Sequence, residues 1–271
     1  MTGQLQAEAP TNTEQVSAPG VQPQLAPRQK VAVAIAFTLM MLTFPTFQCA
    51  RAAGLIPPQL RWAGMAAGII ILLAGVTVWA KYFRRTYGLF SFRGWRWAGV
   101  LLAGLAALQF ILMRTSDSLP SGVATWAWAV VFFLFSVGLP EELWFRGIWF
   151  ALFRNRFLPS VILGSILFGL MHCAPGVPGR GPEIMLMTIP VGLCFAAARY
   201  RGAPILCLAI VHAVMDIAST MVTLAGPRFA MGTTLVAFFG GCLLLFAGLL
   251  LWPGAGWWPV AWSRRLRPCG R

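Results

Sequence analysis

The sequence predicts an all-α fold, a polytopic membrane bundle of about eight transmembrane helices, and three observations carry that prediction. The chain of 271 residues is 58% apolar and 10% charged, with a mean hydropathy of +0.74, whereas soluble domains carry roughly 25% charged residues. Its apolar residues fall into eight runs, near 31–50, 62–80, 97–113, 124–153, 157–172, 184–200, 203–224 and 229–252. Most approach the roughly 20 residues that a helix needs to cross a bilayer. Its 21 Lys and Arg, against 7 acids, lie mostly in short segments between those runs. Basic residues placed so are the orienting charges of a membrane protein; no nucleic-acid partner is expected.

Residues 1–29 are rich in Gln, Pro, Thr and Ala. They cannot bury a core and are expected to be a disordered polar tail. The lead is too long and polar for a cleaved signal peptide, and the run behind it is long enough to remain as a span. Residues 30–252 are expected to form one membrane-embedded domain. In the second run Gly64 and Gly68 form a GxxxG, a spacing that lets two helices approach closely. The fourth run is overlong. Pro140 within it lacks an N–H, so the run is expected to kink or restart there, with Glu141 and Glu142 in the first turn of a new helix.

Residues 253–271 are expected to be an interfacial tail, in which Trp257, Trp258 and Trp262 stand beside Arg264, Arg265 and Arg267. The six cysteines (Cys49, Cys173, Cys194, Cys207, Cys242 and Cys269) show no metal-binding spacing and read as small core residues rather than a disulfide framework. Eight spans with both termini cytoplasmic leave about 15 Lys and Arg inside, and about 5 outside: Arg51, Arg61, Arg114, Arg180 and Arg228. The positive-inside rule supports that topology.

Few ionisable residues remain inside the runs. Glu141, Glu142, Arg146 and Asp216 lie in otherwise apolar sequence, as do the only two histidines of the chain, His172 and His212. Each charge at mid-membrane costs roughly 2.5–3.5 kcal/mol on insertion scales, so intramembrane ionisable groups are functional candidates. Glu142 and Arg146 are four residues apart, as are His212 and Asp216, so each pair shares a helix face. At about 1.5 Å per residue, Glu142 lies roughly 18 Å from Arg154, His212 roughly 16 Å from Arg201 and His172 roughly 24 Å from Arg156. Three helices thus bring polar groups to similar depths, from mid-membrane towards the outer half. Bland readings also exist: a salt bridge for Glu142 with Arg146, an interhelical hydrogen bond for either histidine, and an orienting role towards His212 for Asp216.

An adjacent carboxylate and imidazole can activate a water, and a second imidazole with a neighbouring hydrogen-bonding group can steady an oxyanion. Glu141, His172 and His212 would also suit a catalytic zinc with one open position, the less favoured alternative. The HExxH pattern of the commonest metalloproteases is absent, Ser165 has no glycine–serine elbow, and no GxGD precedes Asp216.

Taken in order, Glu141-Glu142-x-x-x-Arg146, Phe168-x-x-x-His172 and His212-x-x-x-Asp216 resemble the three motifs of the CPBP intramembrane proteases. That group contains CAAX prenyl endopeptidases and bacteriocin-processing or immunity proteins. The resemblance spans residues 141–216. It implies a fold of about eight spans, a glutamate-type mechanism without a cofactor, Glu141 as general base and His172 as partner on the same water. It further implies that His212 and Asp216 line the oxyanion site, while Glu142 and Arg146 pair to hold the first motif's helix and Phe168 supports. Asp216 departs from the Asn of many members; an ionised Asp would repel an oxyanion, so Asp216 is expected to be protonated, or hydrogen-bonded to His212 and acting through it.

The expected function is therefore intramembrane hydrolysis of a peptide bond in a membrane-anchored protein or peptide. The Ala-, Arg-, Gly- and Pro-rich usage suggests a bacterial source and an inner-membrane, multi-pass location. C-terminal sorting tails or leader peptides are then the expected substrates, cut near the outer side, rather than a prenylated CAAX tail. Competing classes are a non-proteolytic immunity or scaffold protein of the same fold and a proton-coupled transporter; the latter is disfavoured by the absence of an inverted repeat. The sequence leaves oligomeric state open.

Overall fold

The computed structural model of the chain describes residues 25–56, 62–83, 94–113, 122–153, 156–173, 181–224 and 231–251. Among them lie eight helices and no strand: α1 (Pro27–Ala52), α2 (Trp62–Tyr82), α3 (Trp95–Met113), α4 (Val123–Leu152), α5 (Leu158–Met171), α6 (Gly181–Tyr200), α7 (Ile205–Leu224) and α8 (Met231–Leu251). They answer the eight apolar runs one for one. By length and composition the stretch Pro27–Phe47 of α1, all of α2 and all of α4 can cross a membrane, and α5 to α8 carry shorter apolar stretches. The first helix starts at Pro27, so residues 27–29 belong to it and not to the polar tail. The rest of that tail up to residue 24, and the Trp- and Arg-rich segment 253–271 with Cys269, lie outside the described residues.

The expected restart at Pro140 does not occur. The chain runs helically from Val123 to Leu152, with right-handed helical dihedrals at Gly138 and Leu139. The reason lies just upstream, where Phe133–Gly138 is wound as a π turn. Hydrogen bonds that reach one residue further displace the row of carbonyls that the proline ring would otherwise strike, so the missing N–H is absorbed without a break. A second π turn, Leu143–Ile148, follows at once. Glu141 and Glu142 sit between the two.

Close approach of α4 to its neighbours depends on glycine. A Cβ on Gly68 would run into the Ser136 backbone, so this half of the expected GxxxG is where α2 meets the first π turn, while Gly64 faces the Phe47 ring of α1. A Cβ on Gly138 would lie 2.7 Å from the Ala209 carbonyl oxygen, which seats α4 directly on α7. The turn from α6 to α7 is a Schellman motif. Gly202 adopts φ +99°, its N–H donates to the Arg199 carbonyl and that of Ala203 to Ala198, and Pro204 follows.

Two packed cores result. One is built by α1, α2, α4 and α5 around Phe37, Trp79, Trp144, Phe145 and Trp149. The other is built by α3, α6, α7 and α8 around Trp97, Leu101, Phe195 and Leu208. Cys194 and Cys242 are buried in the second, with the Cys194 thiol donating to the Cys242 carbonyl, and the described cysteines are free. Outer faces are apolar, as at Ile35, Leu39, Ile70 and Leu73, which suits contact with lipid.

Candidate active site

The polar residues singled out from sequence converge where the two cores meet. Every residue of α4 from Pro140 to Ala151 is buried, including Glu141, Glu142 and Arg146. Arg146 donates through Nη1 to Glu142 Oε1 at 3.2 Å, one turn back, and through Nη2 to the Gly192 carbonyl of α6, also at 3.2 Å. Its guanidinium carbon lies 4.3 Å from the centroid of the Phe168 ring and 5.4 Å from that of Phe195. A buried cation is tolerable on those terms: one carboxylate, one carbonyl and aromatic faces.

His172 is placed by the way α5 ends. The backbone N–H of His172 donates to Gly169 and that of Cys173 to Leu170, a tightening of the last turn that diverts from the Phe168 carbonyl the N–H four residues on. The His172 side chain supplies one, Nδ1 to Phe168 O at 2.8 Å. Its Nε2 is thereby turned towards Glu141, 3.7 Å from Oε2.

His212, on α7, is the hub. Its Nδ1 donates to Glu142 Oε1 at 2.9 Å, while its Nε2 lies 3.7 Å from Glu141 Oε2 and 3.6 Å from Asp216 Oδ2. The rings of Phe195 and Phe168 flank it, with centroids at 5.4 and 5.9 Å. Glu141 itself is buried, and neither of its carboxylate oxygens has a hydrogen-bond partner among the described residues.

Glu141, Glu142, Arg146, Phe168, His172, His212 and Asp216 therefore form one cluster. Two relationships differ from the sequence expectation. Glu142 does more than pair with Arg146, because the same oxygen also accepts the hydrogen bond from His212 Nδ1. Asp216 consequently does not orient His212 from behind: it faces Nε2, on the side of Glu141 and beyond hydrogen-bonding distance. Sequence reasoning also missed Gly192, Phe195 and Arg199. The last donates through Nε to the Arg146 carbonyl at 3.0 Å and through Nη1 to Ala203 at 2.8 Å, tying the end of α6 to α4. The sequence sign for Arg199 was its basic character at a helix end; Gly192 and Phe195 carried none. Among the described residues no group of three His, Cys, Asp or Glu side chains is disposed to hold a metal ion.

Residues 122–218 match the family model described as Rce1-like: Type II CAAX prenyl endopeptidase Rce1-like. The match covers just over a third of the chain, contains the whole cluster and agrees with the CPBP resemblance of the three motifs. It supports a protease acting on a membrane-associated protein, and the apolar helices with it support an integral membrane protein. No curated protein and no solved structure matches the chain.

Proposed function

We propose that this chain, whose residues 122–218 match the Rce1-like family, is an intramembrane endopeptidase that hydrolyses its substrate with a water activated by Glu141 and His172. One observation carries the reading. A buried Glu141 carboxylate without hydrogen-bond donors among the described residues has its Oε2 at 3.7 Å from Nε2 of both His172 and His212. Such spacings are too long for direct hydrogen bonds and suit a bridging water, which can donate to the carboxylate and to His172.

In the reaction Glu141 takes a proton from that water as its oxygen adds to the scissile carbonyl carbon. The carbonyl π pair moves onto oxygen, and the oxyanion lies against His212, whose Nε2 can donate to it. Glu142 holds the His212 ring through Nδ1 and balances its charge when both nitrogens carry protons. The C–N bond then breaks, and Glu141 passes its proton to the departing amine. Asp216, beside the same Nε2, serves the oxyanion site best as a neutral hydrogen-bonding group. The mechanism calls for no cofactor; a zinc-dependent reaction is the alternative, although among the described residues Glu141, His172 and His212 are not disposed to hold the ion. The finer reading is a multi-pass protein of a bacterial inner membrane, with cytoplasmic termini, that processes C-terminal sorting tails or leader peptides.

The purified protein, incubated in nanodiscs with a library of membrane peptides, tests this. Cleavage lost in both Glu141→Gln and His172→Ala, with unfolding temperatures kept, is the expected result. No cleavage by the native chain would leave the scaffold reading standing. Activity abolished by a chelator and restored by zinc would replace the glutamate mechanism.

A further inference from the structure

Access to the cluster is one-sided. Side-chain exposure rises from 0% at Glu142 and 5% at Glu141, through 8% at His212, to 20% at His172 and 29% at Asp216. Both exposed members lie towards the same end of the bundle: His172 closes α5, and Asp216 is one turn beyond His212 along α7. Below Glu142 the protein is solid, with Leu143, Ile148, Ala197, Ala198 and Leu208 of three helices and Ala203 of the α6–α7 turn all buried. A peptide bond cannot reach Glu141 through that floor.

The floor faces the basic end of the molecule. Lys81 in the last turn of α2, Arg96 at the start of α3, Arg156 before α5, and Arg199 and Arg201 at the end of α6 all gather there. Among the described residues the opposite end has only Arg51, in the last turn of α1, and over the whole sequence the eight-span topology assigns about 15 Lys and Arg to the first side against about 5 to the other. Charge asymmetry of that size puts the basic end in the cytoplasm.

We infer that the cavity is closed towards the cytoplasm and opens to the opposite, translocated side, so that the bond it receives lies in the outer half of a membrane anchor or just beyond it. The substrate class is thus a membrane-anchored protein whose cleaved segment has already crossed the bilayer, not one with a cytoplasmic C-terminal tail. This rests on the endopeptidase reading for its substrate, but the direction of access can be measured without any proteolysis.

Cys173, next to His172 and partly exposed, is a native probe. The full-length chain in right-side-out and in inverted membrane vesicles is treated with a membrane-impermeant maleimide, and labelled positions are found by peptide mapping. Asp216→Cys provides a second probe within the cavity and Arg156→Cys a marker for the basic end. The expected result is labelling of Cys173 and of the cysteine at 216 in right-side-out vesicles only, and of the marker in inverted vesicles only. Labelling of either cavity probe from the cytoplasmic side, or of neither from either side, overturns the inference, as does a marker that labels from outside. Correct sidedness with no peptide cleaved would instead fault the endopeptidase reading.

Discussion

Glu142→Gln should slow cleavage sharply while leaving the fold in place. In the native site one oxygen, Glu142 Oε1, accepts from Arg146 at 3.2 Å and from His212 at 2.9 Å, and the side chain is wholly buried. Glutamine keeps the volume and one acceptor oxygen but removes the charge and adds an N–H2 group that cannot accept. The His212 ring then loses a charge-assisted bond of about 1.5–3 kcal/mol. If that bond is fully expressed when His212 faces the oxyanion, the rate falls about 10- to 100-fold, since about 1.4 kcal/mol is a factor of ten. Glu142→Ala is a harsher change. It strands the Arg146 guanidinium without its carboxylate, for which about 3–5 kcal/mol of lost stability is expected. The assay is the initial rate of peptide cleavage in nanodiscs together with the unfolding midpoint of each variant. A Glu142→Gln protein that cleaves at the native rate would refute the bridging role of Glu142, whatever its stability.

Other substitutions probe the supports. Gly138→Val should push α4 off α7, because a Cβ there already lies 2.7 Å from the Ala209 carbonyl oxygen. A loss of about 1–3 kcal/mol, read in thermal unfolding and accompanied by lost cleavage, is expected; an unchanged midpoint would contradict the packing. Phe168→Leu should retain some activity and Phe168→Ala almost none, because the ring lies 4.3 Å from Arg146 and its centroid 4.6 Å from that of His172; equal rates in the two variants would count against it. Asp216→Asn should keep cleavage within about tenfold of native, a change in barrier of no more than about 1.4 kcal/mol, as the shape persists and a charge near the oxyanion is removed. Abolished cleavage there would mean that the carboxylate itself takes part.

The eight runs and the three motifs were readable because each rests on local chemistry. Apolar length fixes a helix, and a four-residue spacing fixes a shared face, as for Glu142 with Arg146. The contacts that join the helices follow no such period. His212 reaches Glu142 across 70 positions and Arg146 reaches Gly192 across 46. Gly192 uses only its carbonyl, which every residue has, so its type gave no sign. Pro140 misled for a related reason. A proline announces a lost hydrogen bond, but the remedy lies in the winding of Phe133–Gly138, whose mostly apolar side chains give no indication of it.

The two π turns of α4 also make helix phase a functional quantity. Each holds one residue more than an α-helix would place over the same rise, and one residue is worth about 100° of rotation about the axis. Removing a single residue from Phe133–Gly138 would leave the segment as apolar and as able to cross a membrane as before. It would nonetheless swing Glu141 and Glu142 about a quarter-turn away from His212. A change within Leu143–Ile148 would instead spare the carboxylates and redirect the side chains from Arg146 to the buried Trp149 and Phe150. Along this helix the count of residues matters as much as their identity, and hydropathy is blind to it.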